Sequence, residues 1–316
     1  MGTALRIGAL GLAAGAVVGC ADGDAAASDG PTVVVTTSIL GDIVGNVVAG
    51  AGVDVQVVMP PGADPHEFSP STRQVEAMSE ADLLVVNGAD FEQGMQHVLD
   101  RIEEHGTRTF ALADHVDLLP FGAEHRDEDE VEAHGHDHED DPHVWTDPLR
   151  VAEAVPALVD AVREIEGVDV AAVEAAATSY VAALQQLDAD IAATLAAIPE
   201  EDRVLVTNHE VFGYFADRYD LEVVGTVVPA GTTLAEPSSG AIEELAEVVE
   251  ERGVRAVFAE TTQSSRLAEA LADSVGRDVE VVELYTESLG EPGSGAETYL
   301  DLMRTDAELV AGALAP

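Results

Sequence analysis

The sequence predicts an α/β fold made of two similar lobes of parallel-sheet βα units, joined by one long rigid helix. Short β-branched runs alternate with amphipathic stretches from Val33 onward, and the same order returns in the second half of the chain. A continuous helical pattern lies between the two halves and predicts the connecting helix. The length of 316 residues suits two lobes of ordinary size.

The first half is expected to form an N-terminal lobe at residues 32–168. Its strands are predicted at 33–37, 53–59, 83–87 and 107–112. Its helices are predicted at 39–49, 72–79 and 91–105, with a further helix starting near Asp147. Ser71 and Gln74 are spaced as a capping box at the start of the helix at 72–79.

The second half repeats this order and is expected to form a C-terminal lobe at residues 199–316. Its strands are predicted at 203–207, 221–227, 255–259 and 279–284. Its helices are predicted at 210–218, 239–252, 265–275 and 297–314.

The linking helix is predicted at 169–198. Its apolar residues recur at steps of three or four: Val173, Ala177, Tyr180, Leu184, Leu187, Ile191, Leu195 and Ile198. Asp169 is suited to cap its start. One helix of this size would be about 45 Å long, enough to run along both lobes and restrict hinge motion. The alternative is two ordinary helices with a break near 188–190.

The composition is strongly acidic, with 61 Asp and Glu residues against 14 basic residues, all of them Arg. The formal net charge of -47 argues against nucleic acid as a partner. Such a surface attracts cations, but it also fits an acidic genome composition or a salty habitat. The function must therefore be read from individual sites.

The first residues resemble a lipoprotein signal peptide at 1–20. Arg6 precedes an apolar run at 7–18, which is shorter than the roughly 20 residues that span a bilayer. The run ends in Val17-Val18-Gly19-Cys20, which resembles a lipobox, and Cys20 is the only cysteine. We expect Cys20 to carry a lipid anchor, with 21–31 as a flexible tether. The protein would then lie at the outer face of the cytoplasmic membrane, or else in a periplasm. The alternative is a leftover cysteine in a soluble leader.

Potential metal ligands follow the predicted strands. In open α/β sheets, ligands gather beyond the carboxyl ends of the strands. His66 follows the second strand, His209 follows the strand at 203–207, and Glu287 follows the strand at 279–284. His143 lies just before the helix that starts near Asp147.

Three imidazoles and one carboxylate suit a borderline-soft divalent ion, and zinc fits best. Manganese prefers more oxygen ligands and is the alternative. His66 and His143 belong to the first lobe, whereas His209 and Glu287 belong to the second. We therefore expect the ion to bind in the cleft between the lobes. Nearby carboxylates could fix the ring tautomers, with these candidates: Glu67, Asp147, Glu210 and Glu260.

The segment at 123–141 consists largely of Glu, Asp and His and cannot bury enough apolar surface to fold. We expect a disordered, His-rich loop. Its imidazoles could bind further metal ions loosely, as a collector or a sensor of metal levels: His125, His134, His136 and His138. The alternative is a solvated loop with no such role. His97, His105 and His115 are expected to be structural or surface residues.

Several motifs together resemble a known family. They are Thr36-Thr37-Ser38-Ile39, Gly62-Ala63-Asp64-Pro65-His66, Asp141-Pro142-His143-Val144-Trp145, Thr207-Asn208-His209, Phe212-Gly213-Tyr214-Phe215 and Tyr285-Thr286-Glu287-Ser288-Leu289-Gly290. The chain is similar over 33–313 to the cluster A-I solute-binding proteins of metal-uptake ABC transporters, close to their zinc-uptake branch. The resemblance implies a non-enzymatic, monomeric carrier that binds metal at the four positions above and delivers it to a membrane permease.

One departure from the family affects the fourth ligand. Many relatives have Asp where Glu287 stands, so this ligand is longer by a methylene, and water or Glu67 could complete the coordination instead.

Two functions of other classes also fit part of the sequence. A zinc hydrolase would use a similar site, but the zincin pattern that begins at His209-Glu210 fails because Gly213 stands at the second His position. A metal-binding adhesin is not distinguished from a carrier by the sequence.

Overall fold

The computed structural model describes residues 30–121, 140–228, 230–235, 237–276 and 278–315. The predicted signal peptide with Cys20, most of the tether, and the His-rich segment with His125, His134, His136 and His138 lie outside these residues. In the described part of the chain, no helix combines the length and apolar character needed to cross a membrane.

Two four-stranded parallel sheets form the framework. The first sheet has the order β2-β1-β3-β4 and contains β1 (Thr32–Val35), β2 (Asp54–Val57), β3 (Leu83–Val86) and β4 (Thr109–Ala111). The second has the order β6-β5-β7-β8 and contains β5 (Val204–Thr207), β6 (Glu222–Thr226), β7 (Ala256–Glu260) and β8 (Glu280–Leu284). The two sheets have the same relative strand order, which confirms the prediction of two similar α/β lobes. The exact lobe limits of 32–168 and 199–316 stay predictions.

Helices cover these sheets in the alternating order that the sequence predicts. The N-terminal part has α1 (Ser38–Val47), α2 (Thr72–Glu80), α3 (Gln96–Glu104) and α4 (Pro148–Arg163). The long helix is α5 (Val170–Leu195), and α6 (Gly213–Tyr219), α7 (Ser239–Glu251), α8 (Arg266–Ser274) and α9 (Tyr299–Leu314) follow. The capping box of Ser71 and Gln74 is present at α2.

The long helix α5 is continuous over 26 residues, so the alternative of a break near 188–190 is wrong. Asp169 caps it by accepting the backbone N–H of Ala172. The predicted apolar face is buried along its whole length, from Val173 to Leu195. The helix packs against α1 and α4 of the first lobe and against α9 of the second lobe. Since it is about 39 Å long at 1.5 Å per residue, it supports both lobes as one rigid element.

The helix predicted at 91–105 begins later, at Gln96, after a short 3-10 segment at Gln93–Met95. The cause is the Glu92 carboxylate, which is buried and accepts hydrogen bonds from Thr36 Oγ1 at 2.6 Å and from the Asn87 backbone N–H at 2.7 Å. A buried carboxylate requires such partners. These contacts hold the segment in a turn and prevent a regular helical start. Burial nevertheless raises the pKa of Glu92 above its ordinary value.

Candidate metal centre

His66 is presented by a tight turn after β2. The sequence Asp64-Pro65-His66 forms a turn in which the Asp64 carboxylate accepts the backbone N–H of His66 at 2.8 Å. An Asp side chain that bonds the backbone two residues on is a common turn device, and proline fixes the intervening backbone. The His66 side chain is completely buried as a result of this placement.

His143 is presented by the same three residues in a second copy, Asp141-Pro142-His143. The Asp141 carboxylate accepts the backbone N–H of His143 at 2.9 Å and also lies 2.7 Å from its ring Nδ1. The segment is fixed to the first sheet by Asn87, whose side-chain amide donates to the Pro142 carbonyl at 2.8 Å. A carboxylate at Nδ1 orients the ring and leaves Nε2 free to bind an ion.

His209 follows β5 and takes its orientation from the neighbouring strand. Its ring Nδ1 lies 2.5 Å from an oxygen of Glu260, the last residue of β7. The other Glu260 oxygen accepts the Thr286 hydroxyl at 2.8 Å. The predicted contact between Glu260 and a site histidine is therefore present, and it also connects His209 to the segment that carries Glu287.

The four side chains from both lobes converge on one point. His66, His143, His209 and Glu287 each offer a ligand atom, and these atoms all lie within 4.8 Å of one another. Oε1 of Glu287 is 2.9 Å from Nε2 of His66, 3.3 Å from Nε2 of His209 and 3.7 Å from Nε2 of His143. Ligand bonds of about 2.0 to 2.2 Å in tetrahedral geometry place neighbouring ligand atoms about 3.3 to 3.6 Å apart. The observed spacings bracket this range, so the cluster fits a four-coordinate ion.

The atoms that point into this cluster lack hydrogen bonds. Nε2 of each of the three histidines and Oε1 of Glu287 are buried, and among the described residues they face only one another and have no hydrogen-bond partner outside the cluster. Each buried polar atom left unpaired destabilises a protein by about 1 to 3 kcal/mol. Four such atoms that converge on one point indicate that this arrangement is built to hold something there.

The protonation tendencies in the cluster follow from its charges. Burial lowers the pKa of both His143 and His209. The negative charge of Asp141 raises the pKa of His143, and the charges of Glu260 and Glu287 raise that of His209. Both pKa values therefore end above the ordinary value of 6.5. Burial raises the pKa of Glu287, but the facing histidines outweigh it and hold the pKa well below its ordinary value. The carboxylate is thus ionised and available to a cation.

Aromatic side chains of the first lobe pack against the cluster. The ring centroid of Phe91 lies 5.1 Å from that of His66 and 5.7 Å from that of His143. Trp145 packs against both Phe91 and His143, at 4.7 Å and 5.3 Å. These rings exclude water and strengthen electrostatic interactions inside the site.

Comparison with known proteins gives the family. A protein-family model described as "ZnuA: Zinc-uptake complex component A periplasmic" matches residues 33–313. The chain belongs to this family. The expected resemblance to solute-binding proteins of metal uptake is therefore confirmed.

Individual relatives match this ZnuA-family chain over most of their length. The chain is 30% identical over 295 residues to the manganese-binding lipoprotein MntA of Halalkalibacterium halodurans, which covers 92% of this chain and 91% of the relative. It is 30% identical over 311 residues to the zinc-binding protein TroA of Treponema pallidum, and this alignment covers 97% of this chain and 96% of the relative. The solved structure of that periplasmic zinc-binding protein superimposes with a TM-score of 0.80 at 29% identity and covers 91% of this chain and 100% of that chain.

The other carboxylates predicted beside the ligands have different positions in this ZnuA-family chain. Glu67 is exposed and lies outside the group of four possible ligands, so its predicted roles in orienting a histidine or completing the coordination stay predictions. Asp147 caps α4 and lies near Arg150 instead of a site histidine. Glu210 is half-buried, and its backbone N–H donates to the Ala230 carbonyl at 3.2 Å; its role beside His209 stays a prediction.

The sequence does not identify Asp141 as a partner of a ligand, because it lies in the segment at 123–141 that is expected to be disordered. It is buried and orients His143, so this limit of the segment is wrong. Asp140 pairs with Pro120 in an isolated bridge and fixes the chain just before it. The available signal was the repetition of Asp-Pro-His at 64–66 and 141–143. A repeated turn that presents one histidine implies that its aspartate has a structural role in the other copy too.

Proposed function

We propose that this chain captures a divalent transition metal, with zinc as the preferred ion, and delivers it to an ABC permease. The observation that carries the proposal is the buried cluster of His66, His143, His209 and Glu287, whose ligand atoms fit the spacing of a tetrahedral ion. In this proposal the ion is cargo, bound in the cleft by two ligands from each lobe.

The donor set favours zinc over manganese. Three imidazole nitrogens and one carboxylate oxygen are typical of zinc sites, whereas manganese prefers sites with more oxygen ligands. Relatives with either metal in their names match this chain at the same identity of 30%, so family membership alone does not select the ion. Manganese is the alternative within the same function.

The site supports a carrier over a zinc hydrolase. A catalytic zinc site keeps three protein ligands and an open position for water or substrate. Here Glu287 supplies a fourth ligand atom in place of water or substrate, and all four side chains are completely buried. We therefore propose binding without turnover. An adhesive role would need a separate surface and carries no support from this cluster.

We propose that lipidated Cys20 anchors the protein to the outer face of the cytoplasmic membrane, with residues 21–31 as its tether. The support is the lipobox-like sequence and the name of the relative MntA, a lipoprotein. We further propose that the chain works as a monomer, with the permease as its protein partner. Mass spectrometry of the membrane fraction tests the anchor, because Cys20→Ser should abolish a lipid adduct at the new N-terminus.

Metal binding is tested by titration with competing chelators. The metal-stripped protein should bind one zinc ion per chain and prefer zinc to manganese. Replacement of His66, His143 or His209 by Ala should each weaken binding by more than the roughly 10- to 100-fold that follows loss of a group orienting a ligand, since each removes a ligand itself. His97→Ala is the matched control, because His97 is exposed on α3 and should not affect binding. Unchanged affinity in the three site variants would contradict the proposal.

Two assays separate the carrier from the other functional classes. Zinc-loaded protein should not hydrolyse generic ester or peptide substrates, whereas turnover that depends on His143 would indicate a hydrolase. A deletion strain should grow poorly only when a chelator makes metal scarce, and added zinc should restore its growth. A defect in surface attachment with normal growth under chelation would favour an adhesin.

A further inference from the structure

The metal cluster is buried. An ion can therefore enter or leave only when the contacts that join the two lobes next to the cluster are broken. Some of these contacts are polar and involve Asp64, two residues before His66. One oxygen of Asp64 accepts the backbone N–H of His66. The other oxygen accepts hydrogen bonds from two residues of the second lobe, the Thr233 hydroxyl at 2.7 Å and the Gln263 side-chain amide. One carboxylate thus connects the position of His66 to the opposite lobe.

The second-lobe residues in this contact are connected to the other ligands. Gln263 lies in a turn directly after β7, in which its backbone N–H donates to the Glu260 carbonyl at 3.2 Å. Glu260 orients His209, and the hydroxyl of Thr262 lies 3.5 Å from the second oxygen of Glu287. The short segment 260–263 therefore contacts His209, Glu287 and the partner of His66.

The neighbouring loop supports the same closure. Thr232, next to Thr233, donates its hydroxyl to the side-chain oxygen of Gln93 in the first lobe at 2.8 Å. Asp64, Thr233 and Gln263 are each only half-buried. They therefore lie at the rim of the site, where hydrogen bonds can break and re-form without exposing a large apolar surface.

We propose that Asp64, Thr233 and Gln263 form a latch that sets how long the metal ion is retained. This inference rests on the proposed metal-binding function and names positioning residues for it; none of the three is a ligand. With the latch formed, the backbone at His66 and the 260–263 segment are held together around the ion. When it opens, His66 can withdraw from the second lobe and the ion is released. The latch should act on the dissociation rate more than on the association rate, because it forms only in the closed state.

The central variant is Gln263→Glu, which replaces the amide donor by a second carboxylate beside Asp64. Zinc-loaded full-length protein is mixed with an excess of a chromophoric chelator, and zinc release is followed by stopped-flow absorbance. We expect release about tenfold faster than in the wild type, with one zinc ion still bound per chain, because a hydrogen bond to a charged group is replaced by repulsion. Thr233→Val removes only one donor and should accelerate release about threefold.

A double variant distinguishes the latch from general damage to the fold. When Asp64→Asn is combined with Gln263→Glu, the oxygen of the introduced amide can still accept the His66 N–H, and its nitrogen can donate to the introduced carboxylate. The hydrogen bond is then restored with donor and acceptor exchanged, and the release rate should return to within about threefold of the wild type. A merely structural defect would not be repaired by a second substitution.

The matched control is Gln186→Glu. Gln186 is exposed on α5 and donates its side-chain amide to Asp190 at 2.8 Å, so the substitution creates the same pair of carboxylates outside the metal cluster and the latch. Its release rate should equal that of the wild type. The latch is refuted if Gln263→Glu and Thr233→Val both release zinc at the wild-type rate, or if the double variant releases it as fast as Gln263→Glu. Failure of the proposed function would give a different result, because the wild-type chain would then take up no zinc. In that case the latch proposal would fail as well.

Discussion

The indole N–H of Trp145 donates a hydrogen bond of 2.8 Å to the backbone carbonyl of Thr286, the residue before Glu287. Trp145 lies in the first lobe and Thr286 in the second, so this bond connects the lobes directly beside the metal cluster. The Trp145 ring also packs 5.3 Å from the His143 ring, measured between centroids. It is the only tryptophan in the chain. Its fluorescence therefore reports on the site without a label.

Zinc binding should change this fluorescence. A divalent charge beside His143 alters the field at the indole, and ligation of Glu287 fixes the backbone segment to which Trp145 is bonded. A zinc titration of the metal-stripped protein should give a change in emission that saturates at one equivalent. His143→Ala should abolish the saturable change, and the exposed His97→Ala should retain it. A response that persists unchanged in His143→Ala would show that the ion binds elsewhere.

Glu260→Ala should weaken zinc binding by about 10- to 100-fold, as is usual when the group that orients a metal-binding histidine is lost. The substitution leaves Nδ1 of His209 and the Thr286 hydroxyl without their shared carboxylate. Affinity is measured by chelator competition. Glu283→Ala is the control, because Glu283 is exposed on the neighbouring strand β8 and should leave the affinity within about twofold. Equal affinities for the two variants would contradict the role of Glu260.

Zinc affinity should fall as the pH is lowered, since imidazoles must be neutral to bind a metal. Burial opposes protonation of His209, but the charges of Glu260 and Glu287 outweigh it and raise its pKa above the ordinary value; Asp141 does the same for His143. Proton competition should therefore begin above about pH 6.5, and the affinity should drop more than about tenfold between about pH 7.5 and pH 5.5. A flat affinity profile over this range would contradict imidazole ligation.

The same raised pKa values predict the opposite trend for the metal-free fold. A histidine whose folded pKa exceeds its unfolded value stabilises the fold below the unfolded value of about 6.5, and this contribution is lost as the pH rises through the folded pKa. In the metal-free protein, His143 and His209 should thus favour the folded state on the acidic side of neutrality. Thermal unfolding of stripped wild type and His209→Gln across this range measures the contribution as a difference that shrinks with rising pH.

Asp306 on α9 provides a stability prediction away from the ligands. It is buried, and its carboxylate accepts the backbone N–H of Tyr285 at 3.0 Å. Burial raises its pKa well above 3.8 despite this bond. The carboxyl therefore stabilises the fold in its neutral form at low pH, and the contribution is lost as the pH rises from the unfolded value of about 3.9 towards the folded pKa.

Asp306→Asn keeps the acceptor for Tyr285 and never ionises. Its free energy of unfolding should therefore increase relative to the wild type as the pH rises, by up to about 1.4 kcal/mol per pH unit in the window between the two pKa values. Urea unfolding at a series of pH values measures this difference. Glu308→Gln removes an exposed carboxylate from the same helix and should give a nearly constant difference. A constant difference for Asp306→Asn as well would show that this carboxyl is not neutral in the fold.

The regular elements could be predicted because each depends on local residue patterns. The apolar stripe from Val173 to Leu195 requires one helix, and its burial confirms that reading. The β-branched runs predict all eight strands of the two sheets, and the observed strand ends differ from the predicted ones by a few residues. The late start of α3 was not predicted, because it depends on the buried carboxylate of Glu92 and its bond to Thr36, a residue far away in the sequence.

The candidate ligands could be named from the sequence because strand ends meet at one edge of a parallel sheet. Their convergence depends on how the two lobes approach each other, which no local pattern encodes. The same reason explains why the contact of Gln263 with Asp64 was not foreseen: it joins two loops from different lobes. Asp141 was hidden for a different reason, because its acidic neighbours make it look like part of a solvated segment.

One ion held by four side chains from the two lobes should be visible in a crystal of the loaded protein. Anomalous diffraction at the zinc absorption edge, measured on crystals of the zinc-loaded protein, tests it most directly. We expect one strong peak within about 2.0 to 2.2 Å of Nε2 of His66, His143 and His209 and of a carboxylate oxygen of Glu287. A peak elsewhere, or one that leaves any of the three imidazoles more than about 3 Å away, would contradict it.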